Sequence, residues 1–128
     1  MIRNRLVRGL VSLSTVFMMA ACSTQTEEQN IAGTIERSLQ QMVSKPVIMA
    51  SSNPNDYIAG SPDAYEQILN TGEEGLRVLL QELESSPENG LKEWIMAQAS
   101  TELLGERNFV NEWHSGKDWL RQYKINEE

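Results

Sequence analysis

Of the 128 residues, only one is cysteine and one is histidine. A lone thiol excludes an internal disulfide, and a single Cys with a single His cannot build a Cys/His zinc cage, which takes four ligands. Basic residues are also scarce: 11 Lys and Arg stand against 18 Asp and Glu, for a net charge of −7. Arg3, Arg5 and Arg8 precede every acid, so residues 22–128 carry a net charge of −10. Gripping nucleic acid requires a basic face to neutralise phosphates, and this balance argues against it. No segment alternates apolar and polar residues over strand length. No apolar run reaches the ~20 residues that a membrane-spanning helix needs. A chain of this size is expected to form one domain.

The N-terminus has the organisation of an address. Residues 2–8 hold the three arginines, and residues 9–21 are apolar or small. A stretch of about 13 such residues is too short to span a bilayer but fits the apolar region of a secretory signal. It ends in Met19-Ala20-Ala21-Cys22. This sequence resembles the lipobox of bacterial lipoproteins: an aliphatic residue, two small residues, then Cys. The resemblance implies a diacylglyceryl group on the Cys22 sulfur and cleavage between Ala21 and Cys22. Cys22 would become the first residue of the mature chain, anchored to a cell membrane or outer membrane on its extracytoplasmic side. Each buried CH₂ contributes about 0.8 kcal/mol, so two acyl chains hold where one holds only marginally. Ser23 follows where an Asp would favour inner-membrane retention.

Residues 23–30 (Ser-Thr-Gln-Thr-Glu-Glu-Gln-Asn) contain no apolar side chain. They are expected to form a flexible tether, with Asn30 capping the first helix of the domain. Ile31, Ile35, Leu39 and Met42 then recur as a helical stripe, which Pro46 should end. Residues 47–61 read as a connector rich in turn formers, with Tyr57 and Ile58 as its apolar plug. Ser61-Pro62-Asp63 has the form of a helix start, and Tyr65, Ile68 and Leu69 make a buried stripe. Gly72 suits a left-handed helix end. Leu76, Leu79, Leu80 and Leu83 define a helix over 73–85, and Leu91 to Leu104 defines the next, ended by Gly105. Its apolar face is wide enough to be covered on more than one side. After an irregular 106–114, Ser115 caps a last helix carrying Trp119, Leu120 and Tyr123. The expectation is an all-α domain over 31–128: a small helical bundle or short stack of HEAT-like hairpins, with Leu80, Ile95 and Trp119 in its shared core.

Three segments stand out together: Ser52-Asn53-Pro54-Asn55-Asp56-Tyr57-Ile58, Asn89-Gly90-Leu91-Lys92-Glu93-Trp94-Ile95 and Trp113-His114-Ser115-Gly116-Lys117-Asp118-Trp119. As a set they resemble a group of small exported bacterial proteins with a helical, HEAT-like core. Trp94 stands where that pattern has Tyr. The resemblance implies a fold and brings no activity, cofactor or catalytic residue with it.

No catalytic constellation is legible. His114 beside Ser115 lacks a third partner, and neighbours in sequence seldom place nucleophile and base within reach; Ser115 is better explained as a helix cap. His114 with Glu112 and Asp118 has no metal-ligand spacing. Asn53, Asn55 and Asp56 lack the order, Gly and final Glu of a calcium loop. No metal and no cofactor are therefore expected. Trp94, Trp113 and Trp119 could line a binding face, but helical spacing favours the core for at least two of them. Trp113 and His114 remain the candidate ligand-facing residues. The chain thus reads as a non-enzymatic, lipid-anchored interaction module that binds a protein partner and no nucleic acid. The alternative is a glycan- or peptide-binding protein of the cell envelope.

Overall fold

The computed structural model describes residues 15–45 and 50–127, the side chains of 15–24 excepted. The arginines of the leader, Pro46 and the first part of the expected connector lie outside the described residues. The described residues form six α-helices and no strand: α1 (Thr15–Val43), α2 (Pro54–Ala59), α3 (Pro62–Leu69), α4 (Gly72–Ser85), α5 (Leu91–Leu104) and α6 (Gly116–Glu127). A 3₁₀ turn, Gly105–Arg107, follows α5. The expected all-α bundle is what the chain forms.

Helix α5 lies at the centre, touching α1, α2, α3, α4 and α6. Its buried residues Ile95, Met96, Ala97, Ala99, Ser100 and Leu104 surround the helix axis, so it has no broad solvent face. Ala97, Ala99 and Ser100 are small enough for neighbouring helices to come close. Ser100 spends its hydroxyl on the Met96 carbonyl at 2.8 Å, which makes a buried polar side chain tolerable. Helices α4 and α5 form an antiparallel pair: Glu73 in the first turn of α4 meets Arg107 just beyond α5. Helix α6 runs alongside α5 in the same direction, Gly116 lying against Glu93 and Tyr123 sharing a groove with Leu104. Ile35, Leu39 and Met42 of α1 close the core from the other side.

Four expectations are corrected. Residues 23–30 are not a loose tether with a cap at Asn30; they continue α1. The Asn30 carbonyl accepts a hydrogen bond from Thr34 Oγ1 at 3.0 Å, inside the helix. Gln25, Glu28 and Gln29 line a groove with Val78, Gln81 and Glu82 of α4. Glu and Gln are good helix formers, and extending a helix already nucleated by packing costs little. Polarity alone therefore did not mark this segment as unstructured. Secondly, the connector contains α2. Asn53 Oδ1 accepts the Asn55 N–H at 3.2 Å and Pro54 takes the first helical position, so residues read as turn formers start a short helix. Thirdly, Ser61 precedes α3 but makes no side-chain cap, leaving Pro62 to set the start.

Leu80 is the fourth correction. It is half-buried, while Leu76, Leu79 and Leu83 are buried with Val78. Helix α1 covers α4 from the Val78 side, which turns the buried arc away from Leu80. Ile95 and Trp119 are fully buried as expected. Gly72 and Gly105 both adopt positive φ, the left-handed region that a side chain disfavours, and they bound α4 and α5.

Candidate functional site

The three segments that stand out in the sequence meet at one place. Residues 52–58 lead into α2, residues 89–95 lead into α5, and residues 113–119 lead into α6, each supplying the first residues of its helix. Between them lies a cleft of about 320 Å³. This falls at the lower end of the ~300–1,000 Å³ found for small-ligand sites. Its apolar wall comes from Pro54, Tyr57, Leu91 and Trp94. Its polar rim comes from Ser51, Ser52, Asn89, His114 and Ser115.

Each segment is fixed by its own hydrogen bonds. Tyr57 is buried and donates its phenol proton to the Ser51 carbonyl at 3.1 Å. Ser51 Oγ accepts the Asn53 N–H at 3.1 Å and donates to Asp56 Oδ2. Asn89 bridges α5 to α6: its amide donates to Ser115 Oγ at 3.1 Å, and its Oδ1 accepts the Lys117 N–H at 3.1 Å. Ser115 caps α6 as expected, accepting the Asp118 N–H at 3.1 Å. Asp118 returns the favour to the His114 N–H at 3.0 Å. That N–H, with Gln122 and Arg121 behind it, holds the Asp118 carboxyl below its usual range.

Lys117 has a role that no local pattern announces. Its ammonium donates to the carbonyls of Leu83 at 2.7 Å, Glu84 at 3.3 Å and Ser86 at 2.6 Å, closing the C-terminus of α4. A cation there satisfies orphan carbonyls and complements the helix dipole. Glu93 is likewise a structural acid. It is buried, and its carboxylate accepts Ser86 Oγ at 2.7 Å and the Gly90 N–H at 2.9 Å. Burial pushes its carboxyl upward, but the hydrogen bonds from Ser86, its own N–H and Gly90, with Lys92 nearby, outweigh that and hold it below the ordinary 4.5. A carboxyl lowered by folding stabilises the fold above its unfolded value, and that contribution is lost as the pH falls through the folded one. Melting temperature is therefore expected to fall as the pH drops below about 4.5, and Glu93→Gln should show a shallower fall than the parent. Parallel curves for the two proteins would show that Glu93 contributes nothing to acid lability.

The sequence candidates separate accordingly. His114 is exposed at the cleft rim. Trp113 stands behind the cleft, its ring 5.1 Å from that of Trp94 and tilted by 36°. Both rings are partly buried against the core, so Trp113 supports Trp94. Trp119 is core, stacked on Tyr123 at 5.1 Å. The Ser115 hydroxyl is committed to Asn89 and Asp118, and the His114 imidazole makes no hydrogen bond to it. No group of three or more His, Cys, Asp or Glu could hold a metal ion among the described residues. Cys22 and Ala21 lie on the backbone of α1, far along the chain from the cleft-forming segments.

The chain matches no protein-family model, no curated protein and no solved structure.

Proposed function

We propose that the chain is a lipid-anchored extracytoplasmic lipoprotein whose helical domain serves as a protein-interaction module. The observation that carries this reading is the succession of basic residues 3–8, apolar residues 9–21 and Met19-Ala20-Ala21-Cys22, with the chain's only Cys at the modification point. No helix among the described residues is long and apolar enough to cross a membrane. The helical course of residues 23–30 supports a short, stiff attachment. Eight helical residues rise about 12 Å, less than half of their ~26–29 Å fully extended. The domain would then be held close to the bilayer. Among the described residues, Phe109 and Ile125, 68 % and 67 % exposed, are the exposed large apolar side chains available for a partner.

Replacing Cys22 by Ser and fractionating cells tests the anchor. The parent is expected in the membrane fraction, and the variant should leave it. A variant as membrane-bound as the parent rejects the lipid anchor. Crosslinking in the same intact cells tests the second half: an interaction module gives a discrete adduct on the parent, and a parent that crosslinks to nothing is not one.

A further inference from the structure

The cleft between α2, α5 and α6 has a wall chemistry unlike the rest of this acidic chain. No carboxylate, ammonium or guanidinium lines it. Four of the charged groups on the cleft-forming segments and their neighbours are engaged elsewhere. Asp56 takes the Ser51 hydroxyl, Glu93 takes Ser86 and Gly90, Lys117 closes α4, and Asp118 pairs with Arg121. A charged ligand entering here would lose hydration and find no counter-charge, which is costly. The site therefore selects for an uncharged molecule.

What remains is an aromatic wall and a neutral polar rim. The Trp94 indole faces the cleft and is held from behind by Trp113. Asn89 and Ser115 are locked in place by the α5–α6 bridge. Ser52 and His114 are exposed, and their side chains make no hydrogen bond among the described residues, so their hydrogen-bonding capacity is open to a ligand. Gly90 adds a stretch of wall without a side chain. A flat apolar platform edged by hydroxyl, amide and imidazole groups matches a sugar ring, which has an apolar C–H face and a belt of hydroxyls. A peptide fits less well. Strand addition needs a sheet edge, and there is none among the described residues; helix docking lays a row of apolar anchors along a continuous hydrophobic groove, and here the four apolar wall residues are ringed by five polar ones.

We infer that this cleft binds an uncharged saccharide, stacked on Trp94 and hydrogen-bonded by Ser52 and His114. The site is independent of the anchor: Cys22→Ser leaves it intact, and loss of sugar binding leaves membrane attachment intact. The test uses the full-length chain, extracted in a detergent without a sugar headgroup. It is titrated with neutral hexose and N-acetylhexosamine mono- and oligosaccharides, following tryptophan fluorescence. At least one series should give a saturable change. Trp94→Ala should weaken it at least roughly tenfold, the equivalent of ~1.4 kcal/mol. Because Trp94 is partly buried, that variant could also lose its fold, so Ser52→Ala and His114→Ala carry the decision. Each is exposed and should melt like the parent while binding several-fold more weakly. The inference is overturned if no saccharide in either series saturates. It is equally overturned if both rim variants bind as well as the parent, or if an uncharged peptide occupies the cleft in place of every sugar.

Discussion

Trp119→Ala should lower the melting temperature by roughly 15–30 °C. The ring is fully buried at the junction of α5 and α6 and stacks on Tyr123 with the two planes only 7° apart. Truncating a buried Trp to Ala typically costs about 3–5 kcal/mol, because transfer energy is lost and a cavity remains. In a domain near 100 residues each kcal/mol moves the midpoint by about 4–8 °C. That is a large share of the ~5–15 kcal/mol that holds a domain together. Trp119→Phe is the informative companion. It keeps a ring on Tyr123 and removes an indole N–H that has no hydrogen-bond partner among the described residues. An unsatisfied buried donor costs about 1–3 kcal/mol, so Phe should recover much of the loss. Differential scanning calorimetry of the three proteins reads both effects. Near-parental melting of Trp119→Ala would put this residue outside the core and return it to the candidate binding surface.

The sequence made the helices legible wherever apolar residues recur at helical spacing over two turns or more. Leu76 to Leu83 and Leu91 to Leu104 fall within α4 and α5, and glycines with positive φ stand at their boundaries. Two kinds of element were hidden. One is helix without an apolar stripe: residues 23–30 continue α1 because the part after them packs, which no local pattern reveals. The other is helix shorter than the period needed to see it, as in α2, whose Asn-Pro-Asn start signals a turn and a helix cap equally well.

The candidate site was legible as three marked segments and illegible as one cleft. Ser52, Asn89 and Ser115 are dozens of residues apart, and their meeting depends on how α2 and α6 dock on α5. The motif Trp113 to Trp119 illustrates the difference. Read along the chain, it offers a His–Ser pair. Folded, it divides its residues among four structural tasks: Ser115 caps α6, Gly116 admits the α5 backbone, Lys117 closes α4 and Trp119 fills the core. Only His114 is left at the rim with an uncommitted side chain. Such a division of labour is set by long-range packing, so spacing arguments cannot anticipate it.

Gly116 is where α6 lies directly on the α5 backbone, and its substitution is the second large effect. A Cβ built there would stand 2.3 Å from the Glu93 carbonyl oxygen and 2.5 Å from its carbon. Both are backbone atoms of the central helix, which is held on several sides and cannot give way. Helix α6 would have to lift. Lifting it stretches the Asn89 bridge, draws Lys117 from the carbonyls of α4 and loosens Trp119. Overpacking of this kind costs about 1–3 kcal/mol, occasionally more. The obstacle is space rather than backbone angle, since Gly116 is not among the glycines with positive φ. Gly33 provides the opposite case in the same chain. It sits inside α1 with nothing within 4 Å of a built Cβ. There, replacing Gly by Ala removes unfolded-state freedom and should stabilise by about 0.5–1 kcal/mol. Thermal melts should therefore show opposite signs: Gly33→Ala up by a few degrees, Gly116→Ala down by roughly 5–20 °C. Because α6 forms one side of the cleft, Gly116→Ala should also disturb saccharide binding, which Gly33→Ala should leave as in the parent. Unchanged melting of Gly116→Ala would mean that α6 does not dock on the α5 backbone at this distance, and the cleft built on that docking would fall with it.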